Sequence, residues 1–415
     1  MIVSWKNSVL FLFSLSILLP QGVGVKLLTG LPGVDLPRLV IFCLWILFFV
    51  YCGVKYNSIS HFFNKQPKTI FYILLLIVLQ FLSVLTSESP AGSLLWAVGN
   101  LVLVFGFAGI VIFILYHEGI SIEEFCRCMS IIATVLLAWT FIEIILQENI
   151  ITHRGAYRKY VVDMYLNINR LWIMPIGPYV VVKPLAAALL LFSPLIYLDK
   201  IIKGKKSALL WGLLFIVGVI STQTIGAIIA LFIVLVFFVI FFKRKIGLLL
   251  LGVMISLTFL ILVFFPEGEK YFTTYLTEGR GSFGARFANN LFLLEKLFSV
   301  ERVLLGFGPG SLSDFARVPT SIYNGGWENR TDPGSIFIWF IETGVIAGSL
   351  IVFILIKAVV HGCLSNNMSV KFLTFGLVGF SVLALSSQSP VLWGPAFVYI
   401  GMIEMFYKSS NKQRI

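Results

Sequence analysis

The stretch EGRGSFGARFANN, from Glu278 to Asn290, sets Arg280 and Arg286 among glycines and small residues, with Glu278 the one acid nearby. A guanidinium stays charged and forks onto phosphate oxygens in pairs, and glycine lets the backbone approach a ligand closely. The stretch therefore has the make-up of a phosphate-binding loop. Two more cations belong with it. Arg170 opens NRLWIMPIGPYVVVKPLAAALLL (Asn169 to Leu191), and Lys183 lies inside that run, followed by Pro184. An ionisable side chain within an apolar run of membrane length points to function, although a lysine roughly eight residues from the end of a span can also snorkel to the interface. The carboxylate to pair with these cations is Asp332, in NRTDPGSIFIWFIETGVIAG (Asn329 to Gly348). It suits two compatible roles: a base for a hydroxyl, and an N-cap, since Asp-Pro-Gly is good helix-start chemistry. Asp163 and Glu278 are alternative carboxylates, and Glu143 and Glu342 are acids within or beside apolar runs on the same side as the arginines.

The elements that must position these residues are membrane helices. The chain has 415 residues, 59% hydrophobic and 12% charged, with mean hydropathy +0.97; a soluble domain carries roughly a quarter charged residues. Apolar runs long enough to cross a ~30 Å hydrocarbon layer recur from end to end, and helices are the way for them to satisfy their own backbone in lipid. The fold class is an all-α polytopic membrane protein, one integral membrane domain over residues 1–415. About twelve spans are expected: 7–25, 36–54, 69–86, 94–116, 126–147, 175–198, 207–221, 224–242, 246–265, 335–356, 371–387 and 391–407. The first run has the Lys6 and apolar core of a signal peptide but no convincing cleavage site, so it is taken as a helix.

The net charge of +12 sits at span ends: Lys55 to Lys68, Asp199 to Lys206, Lys243 to Lys245, Lys357 with Lys371, and the tail from Lys408. Twelve spans put all of these on one side, which the positive-inside rule makes cytoplasmic along with both termini. Such scattered clusters make no nucleic-acid groove. Two loops on the other side are long: 148–174 and, much larger, 266–334. The larger carries seven cations and includes apolar residues at helical spacing from Phe287 to Gly308, so it is expected to hold short helices that lie on the membrane or cap the bundle. Within it, Lys296 and Arg302 have acidic neighbours, Glu295 and Glu301, to offset them. The five cysteines sit in apolar runs or near the basic side, and CRC at 126–128 lacks the histidines of a metal motif.

A cavity open to lipid and lined with arginines suits an anionic amphiphile, and a lipid-linked diphosphate is one. If that lipid carries a sugar, the diphosphate is also a leaving group, and cations stabilise the charge that grows on it during glycosyl transfer. No metal is then needed, and the chain has no Asp-x-Asp pair or His/Cys cluster to hold one.

At this point the residues resemble a family. Arg170 ahead of PLAAALLLFSPL, then GARFANN…VLLGFGPGS, then DPGSIFIWFIETGVIAG with its Glu-x-Gly, occur in an order similar to that of the Wzy-type O-antigen polymerases and the related O-antigen ligases. The likeness covers roughly half the chain, from 150 to 405, and its motifs are loose. It implies a GT-C-like membrane glycosyltransferase of the bacterial inner membrane whose large loop is periplasmic. It also implies an undecaprenyl-diphosphate-linked oligosaccharide as donor and another as acceptor, no cofactor, and a chain-length regulator protein as a possible partner. On that resemblance Arg170 and Arg286 hold the diphosphate, Asp332 serves the acceptor hydroxyl, and Arg280, Lys183, Glu342 and Gly308 contact substrate. The ligases generally have a histidine where Asp332, Pro333 and Gly334 stand, and its absence favours polymerase over ligase; the arginine often found in the family after the seventh span is replaced by Gln223 or Thr224 of STQT (Ser221 to Thr224). A flippase for the same lipid is a third reading, against which the chain shows no internal repeat.

Overall fold

The computed structural model describes residues 4–20, 36–55, 67–150, 175–179, 182–196, 207–222, 224–241, 247–256, 294–295, 297–298, 302–313, 316–317, 335–386 and 392–412. These form α1 (Trp5–Leu18), α2 (Leu36–Lys55), α3 (Lys68–Val84), α4 (Pro90–Asn100), a π-helical turn (Leu101–Gly106), α5 (Phe107–His117), α6 (Ile122–Leu146), α7 (Val182–Phe192), α8 (Ala208–Ser221) and α9 (Ile225–Phe241). Then follow α10 (Gly247–Ser256), a two-residue β-ladder of β1 (Leu312–Ser313) with β2 (Ala316–Arg317), and α11 (Ser335–Leu364), α12 (Met368–Ser386) and α13 (Trp393–Lys412). Among the described residues five helices are long and apolar enough to cross a membrane: α2, the continuous α4–α5 unit, α6, α11 and α12. The chain is a helical membrane protein, and each of the expected apolar runs holds a helix.

Helix starts follow local chemistry. Ser121 caps α6 in a reciprocal box, its hydroxyl accepting from the Glu124 amide at 3.1 Å while the Glu124 carboxylate accepts from the Ser121 amide at 3.0 Å. Pro90 opens α4, where its missing amide costs nothing. The π-helical turn has a different cause. It widens the helix and leaves the Val102 carbonyl open to Trp45 of α2, whose indole N–H donates to it at 3.2 Å, and Gly106 makes room because a Cβ there would overlap the Trp45 ring.

The centre of the bundle is α12, the most buried of the crossing helices, packed by α7, α9, α11 and α13. Leu185 to Phe192 of α7 are all fully buried. Gly376 of α12 lies against the Leu191 carbonyl, where a Cβ would overlap it, so the two backbones meet as closely as small residues allow in lipid. Phe238 of α9 packs on Phe372 and Phe375 of α12 at 5.8 and 5.7 Å.

One end of the bundle gathers the basic helix termini. Lys6 pairs with Glu124 at 2.7 Å, and Glu118 meets Lys55 at 3.5 Å and the Tyr51 hydroxyl at 3.0 Å. Lys357 is placed differently from its sequence expectation as the end of a span. α11 runs on to Leu364, leaving Lys357 two turns inside the helix. Its charge is met there: Lys357 donates to the Glu404 carboxylate and to the Tyr72 hydroxyl at 3.1 Å, and its ammonium lies 4.6 Å from the Tyr72 ring centre. Glu404 is 3% exposed and also accepts from the Thr69 hydroxyl at 2.7 Å. Removing one charge strands the other, so Glu404→Leu is expected to destabilise the detergent-solubilised protein by about 3–5 kcal/mol. The double replacement Lys357→Met with Glu404→Leu is expected to recover most of that loss; thermal unfolding followed by size-exclusion fluorescence measures both.

Candidate functional site

At the opposite end of the bundle, three pieces of chain meet: the turn from α3 to α4, the segment Arg302–Ser311, and the first part of α11. The junction exists because α11 is broken. Gly344 has φ 79° and ψ 177°, a conformation open in practice to glycine alone, and the helix resumes after it. The break frees backbone groups that the helix would have paired. The segment supplies their partners: Phe307 N–H donates to the Ile341 carbonyl and Gly308 N–H to the Glu342 carbonyl, each at 2.9 Å, and Val345 N–H donates to the Val303 carbonyl at 3.0 Å.

Side chains must be absent for this to happen. A Cβ at Gly344 would overlap the Leu304 carbonyl, and one at Gly306, which has φ 75°, would press on the Gly344 amide. Gly308 faces Ser87 and Ser93 and Gly310 faces the Trp96 ring, each without room for a Cβ. Thr86 closes the other side, its hydroxyl 2.8 Å from the Gly306 carbonyl, and the Ser87 and Ser93 hydroxyls bond each other at 2.6 Å. Beneath the clip, Leu297, Phe307 and Ile341 form a small core separate from the main one. Arg302 reaches Glu88 at 3.7 Å, across the turn between α3 and α4.

A second polar anchor holds the start of α7. Glu143, in the last turn of α6, is fully buried. One carboxylate oxygen accepts from the Ile176 and Gly177 amides at 2.7 and 3.0 Å, and the other from the Ile150 amide at 3.2 Å and the Trp139 indole N–H at 3.1 Å. This acid, noted in sequence as a charge beside the arginines, is a staple between two chain segments. By drawing in those amides it makes 175–179 a turn, with Gly177 at φ 58°, so the helix begins at Val182 and not near 175 as expected. Lys183 therefore stands in the first turn of α7, half-buried, and not deep within a span.

Of the site residues expected from sequence, Lys183, Glu342 and Gly308 are described. Gly308 is buried in the clip, and Glu342 is half-buried two residues before the break. Arg170, Arg280, Arg286 and Asp332, and the alternatives Asp163 and Glu278, lie outside the described residues. Cys126 is buried, and Cys128 on the same helix lies 3.2 Å from the Ser14 hydroxyl. Among the described residues no three His, Cys, Asp or Glu side chains converge as metal ligands. What the arrangement offers chemically is a rigid backbone platform, bordered by a carboxylate and three hydroxyls, from which a long cationic loop departs.

No protein-family profile matches the chain, and no curated protein does.

The clip and the staple each predict a loss on mutation. Gly344→Ala forces a strained backbone and an overlap with Leu304, so a loss on the order of 2–4 kcal/mol is expected, with faster proteolysis in the Arg302–Ser311 segment. Glu143→Ala leaves the Ile176 and Gly177 amides without their acceptor and is expected to cost about 2–4 kcal/mol. Glu143→Gln keeps one acceptor oxygen and should fall between that variant and the unaltered protein in the same thermal unfolding measurement.

Proposed function

We propose that this chain is a Wzy-type polymerase of the bacterial inner membrane. It transfers a growing glycan from one undecaprenyl diphosphate to a sugar hydroxyl of another lipid-linked repeat unit on the periplasmic face. The observation that supports this reading best is the clip. The glycine-rich segment that follows Arg286 in sequence is bonded to the helix that follows Asp332, at the end of the bundle away from the basic clusters. A loop rich in cations is thus tied to the mouth of a helical membrane protein, where a lipid diphosphate would present its charge.

In this reading the topology is twelve spans with both termini in the cytoplasm. Arg170 and Arg286, helped by Arg280, take the diphosphate and stabilise the charge that develops as the glycosidic bond breaks. Lys183 adds a cation at the first turn of α7, where the helix's own amides are already partly positive, and both favour an anion there. Asp332 orients the acceptor hydroxyl or takes its proton, with Glu342 and the backbone about Gly308 shaping the acceptor side. The transfer needs no metal or cofactor.

Deletion of the gene in a strain that depends on it distinguishes the classes by gel. Single repeat units capping lipid A core are the expected pattern; core without repeats would instead mark a ligase, and lipid-linked repeats held on the cytoplasmic leaflet a flippase. Arg286→Ala is expected to reproduce the deletion pattern at normal membrane levels of protein, and long-chain polysaccharide of ordinary length would refute the assignment of that arginine.

A further inference from the structure

The clip also lies about one membrane thickness from the far end of α11. α11 finishes at Leu364, and about 20 residues at ~1.5 Å each cross a ~30 Å hydrocarbon layer. Counted back from Leu364, that distance ends at Gly344. Over the same stretch Ile346, Phe353, Ile356 and Val360 are exposed, at a spacing that makes one stripe along the helix. α3 continues the wall beside it, with Phe71, Val78 and Leu85 exposed and Tyr72 against Phe353 at 6.2 Å. On a membrane protein such a wall faces acyl chains.

The Leu294–Leu304 part of the large loop meets the top of this wall. Leu297 is fully buried against Phe307 and Ile341, so one face of the segment is packed. The other presents large apolar side chains outward: Phe298 is 63% exposed and Leu304 58%. The Leu304 carbonyl lies against Gly344, beside the bond from the Val345 amide to the Val303 carbonyl, which brings Leu304 level with the upper end of the exposed stripe. The Arg302 and Glu88 pair, each partly exposed, stands at the same level as headgroup charges would. Apolar side chains projecting beside a charged pair, one turn from an acyl-facing stripe, are the pattern of an interfacial segment.

We propose that Phe298 and Leu304 insert into the boundary between headgroups and acyl chains, making the Leu294–Leu304 segment a lipid anchor for the large loop. The inference rests on the membrane character of the chain and not on the polymerase reading. It is tested on the full-length protein, with a dansyl amino acid incorporated at position 304 or, independently, at 298, and with position 353 as the acyl-facing reference. Each variant is reconstituted into phosphatidylcholine nanodiscs holding one copy, with or without lipid brominated near the headgroup end of the acyl chain. Bromolipid is expected to reduce emission at 304 and 298 by on the order of half, and more than at 353, which lies deeper. Unchanged emission at both loop positions would overturn the proposal, whether the label reads as water-exposed or as covered by protein. If one labelled variant fails to elute as a folded monomer, the other carries the test alone.

Discussion

Three backbone hydrogen bonds across the break at Gly344 hold together parts of the chain that are far apart in sequence. A helix interrupted near a membrane surface leaves amide and carbonyl groups that neither lipid nor side chains readily satisfy, and each unpaired buried group costs about 1–3 kcal/mol. Here Val303, Phe307 and Gly308 take up those groups through their own backbone. Once that pairing exists, several other features follow: why Gly306, Gly308 and Gly310 recur at every second position, why Thr86 sits where it does, and why Leu297 has a core of its own. The glycines answer to the close approach of backbone to backbone, serine and tryptophan, and to their own left-handed φ values of 75°, 95° and 73°.

The two ends of the bundle solve the problem of buried acids in different ways. Glu404 is balanced by a cation, Lys357, and bonded by the Thr69 hydroxyl, while Tyr72 serves the lysine. Glu143 is surrounded by donors that carry no net charge, among them three main-chain amides. The first arrangement joins helices through their side chains and suits the end where basic residues are plentiful. The second fixes the path of the main chain.

Helix positions were legible in the sequence because an apolar run of membrane length has one stable structure in lipid. Their ends were less so. Charge marks where a span ends only when the charge is solvated, so Lys357, neutralised inside the bundle, gave a boundary two turns early. The start of α7 was misread for the converse reason: an apolar run looks helical until a distant acid claims its amides, and nothing near Ile176 announces Glu143. The clip left a partial trace, since GFGPG and the Glu-x-Gly of α11 both stood out as motifs. Their pairing did not, because backbone bonds between segments carry no side-chain signature. Arg302 shows the same limit: the acid beside it in sequence, Glu301, drew the expectation, while the turn after α3 supplied Glu88.

Trp45 has a consequence of its own for α2. That helix buries only Pro37, Val40, Leu44 and Tyr51, so most of its surface offers no grip against its neighbours. The indole seated on Gly106 and bonded to the Val102 carbonyl acts as a peg in a socket. Sliding α2 by one turn, or rotating it by one residue, would withdraw the peg and leave a carbonyl unpaired in hydrocarbon. A lightly buried outer helix is in this way held in register midway along by Trp45, as Tyr51 and Lys55 hold it at its end through Glu118.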